Sequence, residues 1–203
     1  MKIFPLAIVV LSLLFAGCTP SADDAADMSI ILGQRVGPIT ENTTHSQLVD
    51  IYGAGNVSDT DYSIGEGKTV PCTIIFPGTT REATVIWALD RKNEKVDRVV
   101  ITGEKWLLPE GIRYGDDLDK VEEINGDPFM IYGFGWDYGG VGYFKGGKLD
   151  RQAQIWFGPS VSEGTDYNAV LGDSLFNSTD ATMRAVDPRV VEVVILLGAP
   201  SED

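Results

Sequence analysis

The chain has 203 residues, 43% of them hydrophobic, and carries 30 acidic against 16 basic side chains, a net charge of −14 with histidine neutral. Such a chain is repelled by nucleic acid and by anionic lipid head groups, so neither is an expected partner. It contains only two cysteines, Cys18 and Cys72, which excludes a framework of several disulfides.

The N-terminus has the pattern of an export signal. Lys2 supplies a positive charge, and the run from Ile3 to Phe15 is almost entirely apolar. That run is too short to span a bilayer, which needs roughly 20 residues, but it suits the core of a signal peptide. The stretch ending in Ala16-Gly17-Cys18 resembles the lipobox of bacterial lipoproteins, although Phe15 stands where that pattern prefers leucine. We therefore predict a signal peptide over 1–17.

The resemblance to bacterial lipoproteins implies a diacylglyceryl thioether on Cys18, usually with a third acyl chain such as palmitate on its amine. More than one acyl chain gives stable membrane anchoring, because each buried methylene contributes ~0.8 kcal/mol. We expect a lipid-anchored protein of the cell envelope, at the outer membrane rather than the inner, on its periplasmic or its surface face. An ordinary secretory peptide that ends near a cysteine is the alternative.

Residues 18–28 are small, polar and acidic, and they predict a flexible tether. If Cys18 carries lipid, Cys72 has no intramolecular disulfide partner. Cys72 lies in an apolar, β-like run, which is typical of a buried and inert thiol.

Residues 29–108 are predicted to form a first α+β unit. Thr44 and Gln47 fit a capping box at the start of a helix, Leu48 and Ile51 form its apolar stripe, and Gly53 fits a left-handed cap. The β-like runs that follow lie near Val57–Ile64, Val70–Phe76, Ala83–Leu89 and Val96–Thr102.

Residues 109–203 are predicted to form a second unit, which aligns with the first at an offset of 73, Gly53 falling on Gly126. Asp116 or Asp117 can cap its helix, Gly126 ends it, and Pro128 prevents its resumption. The apolar stripe of the helix comprises Leu118, Val121 and Ile124, and β-like runs follow near Phe129–Phe134, Tyr138–Phe144, Gln154–Phe157 and Val190–Leu197.

The second unit is longer than the first by about 21 residues, since its last strand aligns at an offset of 94 instead of 73. The extra residues lie within 159–189, a polar insertion that is either functional or disordered. The order of the elements predicts an α+β fold of two tandem helix-plus-antiparallel-sheet repeats, about four strands each, with the helices packed on one sheet face.

The segment 112–128 resembles the small lipoprotein of the outer-membrane barrel-assembly machinery and its relatives, on Gly115, Val121, Gly126 and Pro128, with an aromatic strand after them. The tandem arrangement also resembles the β-lactamase inhibitor protein. The first unit departs from the pattern, with asparagine and glycine where glycine and proline would stand. The resemblance implies a non-enzymatic module that binds other proteins, without indicating which residues bind.

Aromatic side chains are densest between Phe129 and Phe144. If the chain is extended there, Phe134, Trp136 and Tyr138 share one face of the sheet. Exposed, they would form a binding surface that anchors a protein partner or stacks on a sugar. Packed beneath the helices, they would be core.

No residue pattern indicates a catalytic, metal or cofactor site. His45 aligns with Leu118 on the helix stripe, which favours a packing role, and no phosphate loop, dinucleotide fingerprint or zinc spacing occurs. The leading hypothesis is a membrane-anchored protein-binding module that is not an enzyme. The alternative is a glycan-binding lipoprotein that uses Trp136 and Tyr138, and a hydrolase built on Cys72 or His45 is a third, weaker hypothesis.

Overall fold

The computed structural model describes residues 27–150, 153–160 and 164–198, and its fold is α+β with mostly antiparallel strands. The predicted signal peptide, Cys18 and all but the last two residues of the predicted tether lie outside this range. Its helices and strands are β1 (Ile30–Ile31), β2 (Arg35–Val36), β3 (Ile39–Thr40), α1 (His45–Tyr52), β4 (Val57–Ser63), β5 (Thr69–Ile75), β6 (Ala83–Trp87), β7 (Val96–Ile101), α2 (Leu118–Asn125), β8 (Met130–Tyr132), β9 (Gly142–Tyr143), β10 (Gln154–Gly158), β11 (Leu175–Asn177), α3 (Ala181–Ala185) and β12 (Arg189–Leu196).

Helix α1 begins with the predicted capping box. The Thr44 hydroxyl oxygen accepts a hydrogen bond from the Gln47 backbone N–H, and the Thr44 N–H donates to Gln47 Oε1 at 2.8 Å. Leu48 and Tyr52, four positions apart, form the buried stripe. The expectation that Ile51 belongs to that stripe is wrong, because Ile51 lies to one side of it and is 47% exposed.

Helix α2 is capped by Asp117, whose carboxylate accepts a backbone hydrogen bond from the first turn. Leu118 and Val121 are buried, as predicted, and Gly126 ends the helix with φ 86° and ψ −13°, in the left-handed region. Gly53 ends α1 differently: its φ of 82° is positive, but its ψ of 142° is not left-handed helical, so the predicted left-handed cap is wrong there.

Six strands form one antiparallel sheet in the order β10-β12-β7-β6-β5-β4, and β11-β8-β9 form a three-stranded sheet. The four predicted strands of the first unit correspond to β4–β7. The predicted runs at Phe129–Phe134 and Tyr138–Phe144 are too long, because the chain between β8 and β9 turns instead of continuing extended. β7 and β12 pair directly, with Val100 opposite Val194, so strands from 29–108 and 109–203 share the large sheet.

The insertion is structured over its described residues. It supplies β11, which pairs with β8, and the short helix α3. Arg184 of α3 donates to Asp119 and Glu122 of α2 and to the Ser178 carbonyl oxygen, the last at 2.7 Å. These contacts fix the insertion against α2.

Apolar side chains are buried on both faces of the large sheet. The larger core takes in α1, α2 and one sheet face, including Leu48, Tyr52, Val85, Trp87, Val99, Leu118, Val121, Val193 and Ile195. The smaller cluster lies on the other face and comprises Val70, Cys72, Ile86, Val100 and Val194, with Tyr62 and Trp156 packed against it. Burial raises the pKa of the Cys72 thiol, which keeps the poorly nucleophilic protonated form.

The large sheet is strongly curved around the smaller cluster. Tyr62 of β4 and Glu192 of β12 are four inter-strand spacings apart, about 19 Å in a flat sheet. Yet the Tyr62 hydroxyl donates to Glu192 Oε1 at 2.8 Å. Parallel side chains on a flat sheet could not meet across that distance, so the edge strand β4 must bend back over β7 and β12.

Glu192 makes the stability of this curved sheet depend on pH. Burial raises the pKa of Glu192, and the hydrogen bond from Tyr62 opposes that shift. Because the folded-state pKa exceeds the unfolded value, roughly 4, the folded state binds more protons between the two. The Glu192 contribution to stability is therefore full below pH 4 and is lost as pH rises through the folded-state pKa.

We expect the free energy of unfolding of the wild type, relative to Glu192→Gln, to fall as pH rises from 4 to 8, since glutamine does not titrate. Urea unfolding at stepped pH measures this difference. Glu123→Gln, at an exposed position on α2, controls for the loss of one surface carboxylate. A wild-type-minus-variant difference that stays constant over the range would contradict the raised pKa.

Candidate functional site

Exposed large apolar side chains concentrate on the three-stranded sheet and on the loop after β8. Trp136 is 37% exposed, Tyr138 53%, Tyr143 50% and Leu175 44%. Leu175 lies opposite the half-buried Tyr132, and Tyr143 lies opposite Met130, two positions from Tyr132 on the same strand. Directly opposed residues share a sheet face, so these side chains are neighbours. We call the set Tyr132, Trp136, Tyr138, Tyr143 and Leu175 the aromatic patch.

Trp136 is the centre of the aromatic patch. Its ring lies 5.5 Å from that of Tyr132 and 5.3 Å from that of Tyr138, with interplanar angles of 80° and 68°. Edge-to-face pairs of this kind are each worth about 0.5–1.5 kcal/mol beyond their buried area. The indole N–H donates to the Gly133 carbonyl oxygen at 2.8 Å, which fixes the ring against its own loop. The exposed indole is thus held in one orientation.

Phe134 holds the loop from beneath. It is 3% exposed, and its ring stacks on Tyr167 with centroids 6.1 Å apart. Its N–H donates to the Val170 carbonyl oxygen and its own carbonyl oxygen accepts from Gly172, both within the insertion. The prediction that Phe134 shares an exposed face with Trp136 and Tyr138 is therefore wrong. The chain turns at Gly135, whose φ of 82° breaks the extended run on which that prediction depended.

Gly140 fixes the other end of the loop against β10. A Cβ on Gly140 would lie 2.0 Å from the Phe157 carbonyl oxygen, a distance that no side chain could accept. That close approach lets the Phe157 N–H donate to the Gly140 carbonyl oxygen at 2.8 Å. The aromatic loop is thereby tied to the large sheet.

The tip of the β4–β5 hairpin supports the loop from a third direction. The Glu66 N–H donates to Asp137 Oδ2 at 2.9 Å, and Asp137 lies between Trp136 and Tyr138 in the chain. Exposed carboxylates also flank the loop on the insertion, at Asp166 and Asp173. Two cations lie nearby: Lys68, which pairs with Glu66 at 2.8 Å, and the exposed Lys145, two positions after Tyr143. The aromatic patch therefore has a mainly acidic surround.

The residues of the hydrolase hypothesis do not assemble. His45 Nε2 lies 3.1 Å from Asp59 Oδ1, which also accepts from the Thr73 hydroxyl at 2.7 Å. In a Ser- or Thr-based catalytic triad the nucleophilic hydroxyl donates a hydrogen bond to the histidine. Here the Thr73 hydroxyl donates to the Asp59 carboxylate instead. Cys72 and Thr73 are successive strand residues, so the Cys72 side chain points to the opposite sheet face from His45.

The acidic residues at the start of α2 stabilise the helix and the chain around it. Asp117 caps the helix, Asp116 accepts from the Arg113 N–H, and Asp119 pairs with Arg184. Over the described ranges, no group of three or more histidine, cysteine or carboxylate side chains is placed to hold a metal ion. Nor does any helix in those ranges have the length and apolarity to cross a membrane.

No protein-family model matches this chain, and neither does any curated protein. Among solved structures, the chain is similar to the uncharacterized protein yfeY from Escherichia coli, at 10% sequence identity and a TM-score of 0.45. That match covers 84% of this chain and 97% of the other. A likeness this distant carries no argument about the site.

Trp136 should account for most of the quenchable tryptophan emission. Trp87 and Trp106 are each 1% exposed, and Trp156 is partly buried, whereas Trp136 is 37% exposed. We expect Trp136→Phe to remove most of the acrylamide-accessible fluorescence. The matched change Trp106→Phe should leave it in place, with circular dichroism confirming that both variants are folded. Accessible emission that survives in Trp136→Phe would mean that the ring is covered in solution.

Proposed function

We propose that this chain is a lipid-anchored envelope protein that binds a protein partner through the aromatic patch and is not an enzyme. The observation that carries the proposal is the exposure of Trp136 and Tyr138 on a loop held from three sides. Tryptophan and tyrosine dominate the binding energy of protein interfaces. Contiguous exposed apolar surface of this kind marks interaction sites on soluble domains.

The rigidity of the loop favours binding. Ordering a side chain or a loop at an interface costs free energy, and that cost is smaller where the free protein already holds the bound conformation. Here the Trp136 indole is hydrogen-bonded to Gly133, and the loop backbone is bonded to the insertion and to β10. The binding side chains would therefore lose little conformational freedom when a partner docks.

The ring geometry favours a protein partner over a glycan. A sugar ring stacks on a flat aromatic face, and a platform for several sugars needs rings that lie near one plane. Trp136 stands at 80° to Tyr132 and 68° to Tyr138, so the patch is ridged. Ridges and pockets suit interdigitation with protein side chains, and the surrounding carboxylates favour a partner with basic residues at its rim.

The membrane anchor rests on the lipoprotein pattern at Cys18. Asp27, the first described residue, is nine positions beyond it (27 − 18). A lipid on Cys18 would thus hold the folded domain close to the membrane surface, where an envelope partner would meet it. Anchoring also raises the effective concentration of the domain near membrane-bound partners.

We further propose that the fold is a tandem repeat, with α1 and α2 on one face of a shared sheet. Three observations support this. Each helix is followed by an antiparallel series of strands, and both helices contribute to the larger core. The last strands of the two units, β7 and β12, pair about Val100 and Val194, which correspond at the offset of 94. The register is symmetric about that pair, as a local twofold relation between equivalent strands would require.

Trp136→Ala and Tyr138→Ala should each reduce recovery of the partner after crosslinking in whole envelopes. Central aromatic anchors typically cost at least about 2 kcal/mol when truncated, or roughly 30-fold in affinity. The matched control is Tyr114→Ala, which removes a ring of similar exposure outside the aromatic patch. Equal recovery with all three variants would exclude the patch as the interface, and altered tryptophan fluorescence across a glycan panel would favour the glycan alternative.

Cys18→Ser should move the protein from the membrane fraction to the soluble fraction and abolish incorporation of labelled palmitate. Cys72→Ser is the matched control. Because Cys72 is a buried free thiol, this substitution should leave membrane association and palmitate incorporation unchanged. Membrane association that persists without Cys18 would contradict lipid anchoring.

A further inference from the structure

β4 forms one edge of the large sheet, and its outer side is unpaired. The strand has seven residues, and over the described part of the chain it pairs only with β5. A free edge presents a row of backbone N–H and C=O groups that can template an additional strand. Which residues present them depends on which β4–β5 pairs are hydrogen-bonded to each other.

Two hydrogen bonds at the ends of the β4–β5 ladder show which pairs are hydrogen-bonded. The Phe76 N–H donates to the Asn56 carbonyl oxygen at 2.8 Å, and the Ile64 N–H donates to the Lys68 carbonyl oxygen at 3.0 Å. Because hydrogen-bonded and non-hydrogen-bonded pairs alternate in an antiparallel ladder, the even-numbered residues of β4 bond to β5. The odd-numbered residues turn their backbone groups outward, and these are Val57, Asp59, Asp61 and Ser63.

A proline on the neighbouring strand agrees with this assignment. Asp61 lies opposite Pro71, which has no N–H to donate. An Asp61–Pro71 pair that exchanged two hydrogen bonds is therefore impossible, whereas a non-hydrogen-bonded pair costs nothing. The backbone of Asp61 is thus directed away from β5 and towards solvent.

The outward-bonding residues carry negative charge. Asp59 and Asp61 are both exposed, and they lie on the same sheet face because they are two positions apart. The Asp59 side chain is 62% exposed and contacts His45 and Thr73. Asp61 has no side-chain hydrogen bond or ion pair within the described residues. A strand added at this edge would place its own residues directly opposite these two carboxylates.

We propose that β4 accepts an extended segment of a partner protein as an additional antiparallel strand, with lysine or arginine opposite Asp59 and Asp61. Backbone bonds would supply affinity, and the alternating basic residues would supply selectivity, as in other cases of strand addition. Opposite charges across a strand pair stabilise it by roughly 0.2–1 kcal/mol each.

Charge disfavours a second copy of this chain as the occupant. Symmetric antiparallel pairing of two β4 strands about Thr60 would place Asp59 of one copy opposite Asp61 of the other. Like charges directly opposed are destabilising. The proposed strand goes beyond the aromatic patch, because it uses a different surface and a different kind of bond.

The first test uses amide hydrogen exchange of the full chain in detergent, read by NMR. The amides of Ser58, Thr60 and Tyr62 should exchange slowly, and those of Val57, Asp59, Asp61 and Ser63 should exchange fast. Exchange without this alternation would overturn the assignment of outward-facing backbone groups on which the proposal depends. Protection of the odd-numbered amides that grows with protein concentration would indicate self-association and overturn the choice of occupant.

The second test adds the synthetic peptide acetyl-TKVKVKT-amide. It should slow exchange at the odd-numbered amides. When a peptide lysine lies opposite an aspartate, its amide faces β4 and the valine amides face away. N-methylation of the lysine amides should therefore abolish binding, whereas N-methylation of the valine amides should leave it unchanged. Equal binding of both methylated peptides, or of acetyl-TVKKKVT-amide, would reduce the interaction to non-specific charge attraction and overturn the proposal.

Variants of the chain separate this surface from the aromatic patch. Asp61→Lys should weaken peptide binding by at least about threefold, since it replaces an attractive cross-strand pair with a repulsive one. Glu104→Lys, an exposed change of the same charge elsewhere, should weaken it less. Trp136→Ala should leave peptide binding intact, so failure of the aromatic-patch interface and failure of the edge-strand proposal would be distinguishable.

Discussion

The curvature of the six-stranded sheet is the constraint on which the rest of the structure depends. Without it, the Tyr62 hydroxyl could not reach Glu192 across three intervening strands, and the cluster around Cys72 and Val100 would face water. Curvature also brings the tip of the β4–β5 hairpin onto the loop that carries the aromatic patch, through Glu66 and Asp137. A flat sheet of the same strand order would leave both the smaller core and the loop unsupported.

The insertion orders the loop after β8 and leaves its aromatic side chains exposed. Backbone bonds from Val170 and Gly172 hold Phe134, and burying that ring leaves the next aromatic, Trp136, on the outside. The insertion is in turn fixed to α2 by Arg184. The sequence offered a functional and a disordered interpretation of 159–189, and the packing favours a supporting role. It orders the loop and adds Leu175 to the patch.

Local rules predicted what is local in this fold. The caps at Thr44 and Asp117 and the strands β4–β7 follow from hydrogen-bonding chemistry and alternation within a few residues. The exposure of Trp136 did not follow, because it depends on which distant segment covers each face of the chain. The place of Leu175 in the patch was equally unpredictable from the sequence, because its neighbour Tyr132 is 43 positions away (175 − 132) and only strand pairing brings them together. The assumption of an extended chain failed at Gly135, where a positive φ starts the turn.

Burial holds three titratable groups inside the curved sheet in their neutral forms. Cys72, Tyr62 and Glu192 all have pKa values raised by burial, so each favours its neutral form inside the curved sheet. Neutral, hydrogen-bonded groups stabilise a packed interior, because burying an unpaired charge costs far more free energy. The features that folding does not require are the exposed rings of the aromatic patch and the outward backbone of β4. Exposed aromatic rings leave apolar surface in water, and a free strand edge risks aggregation, so the proposed partners would account for both features.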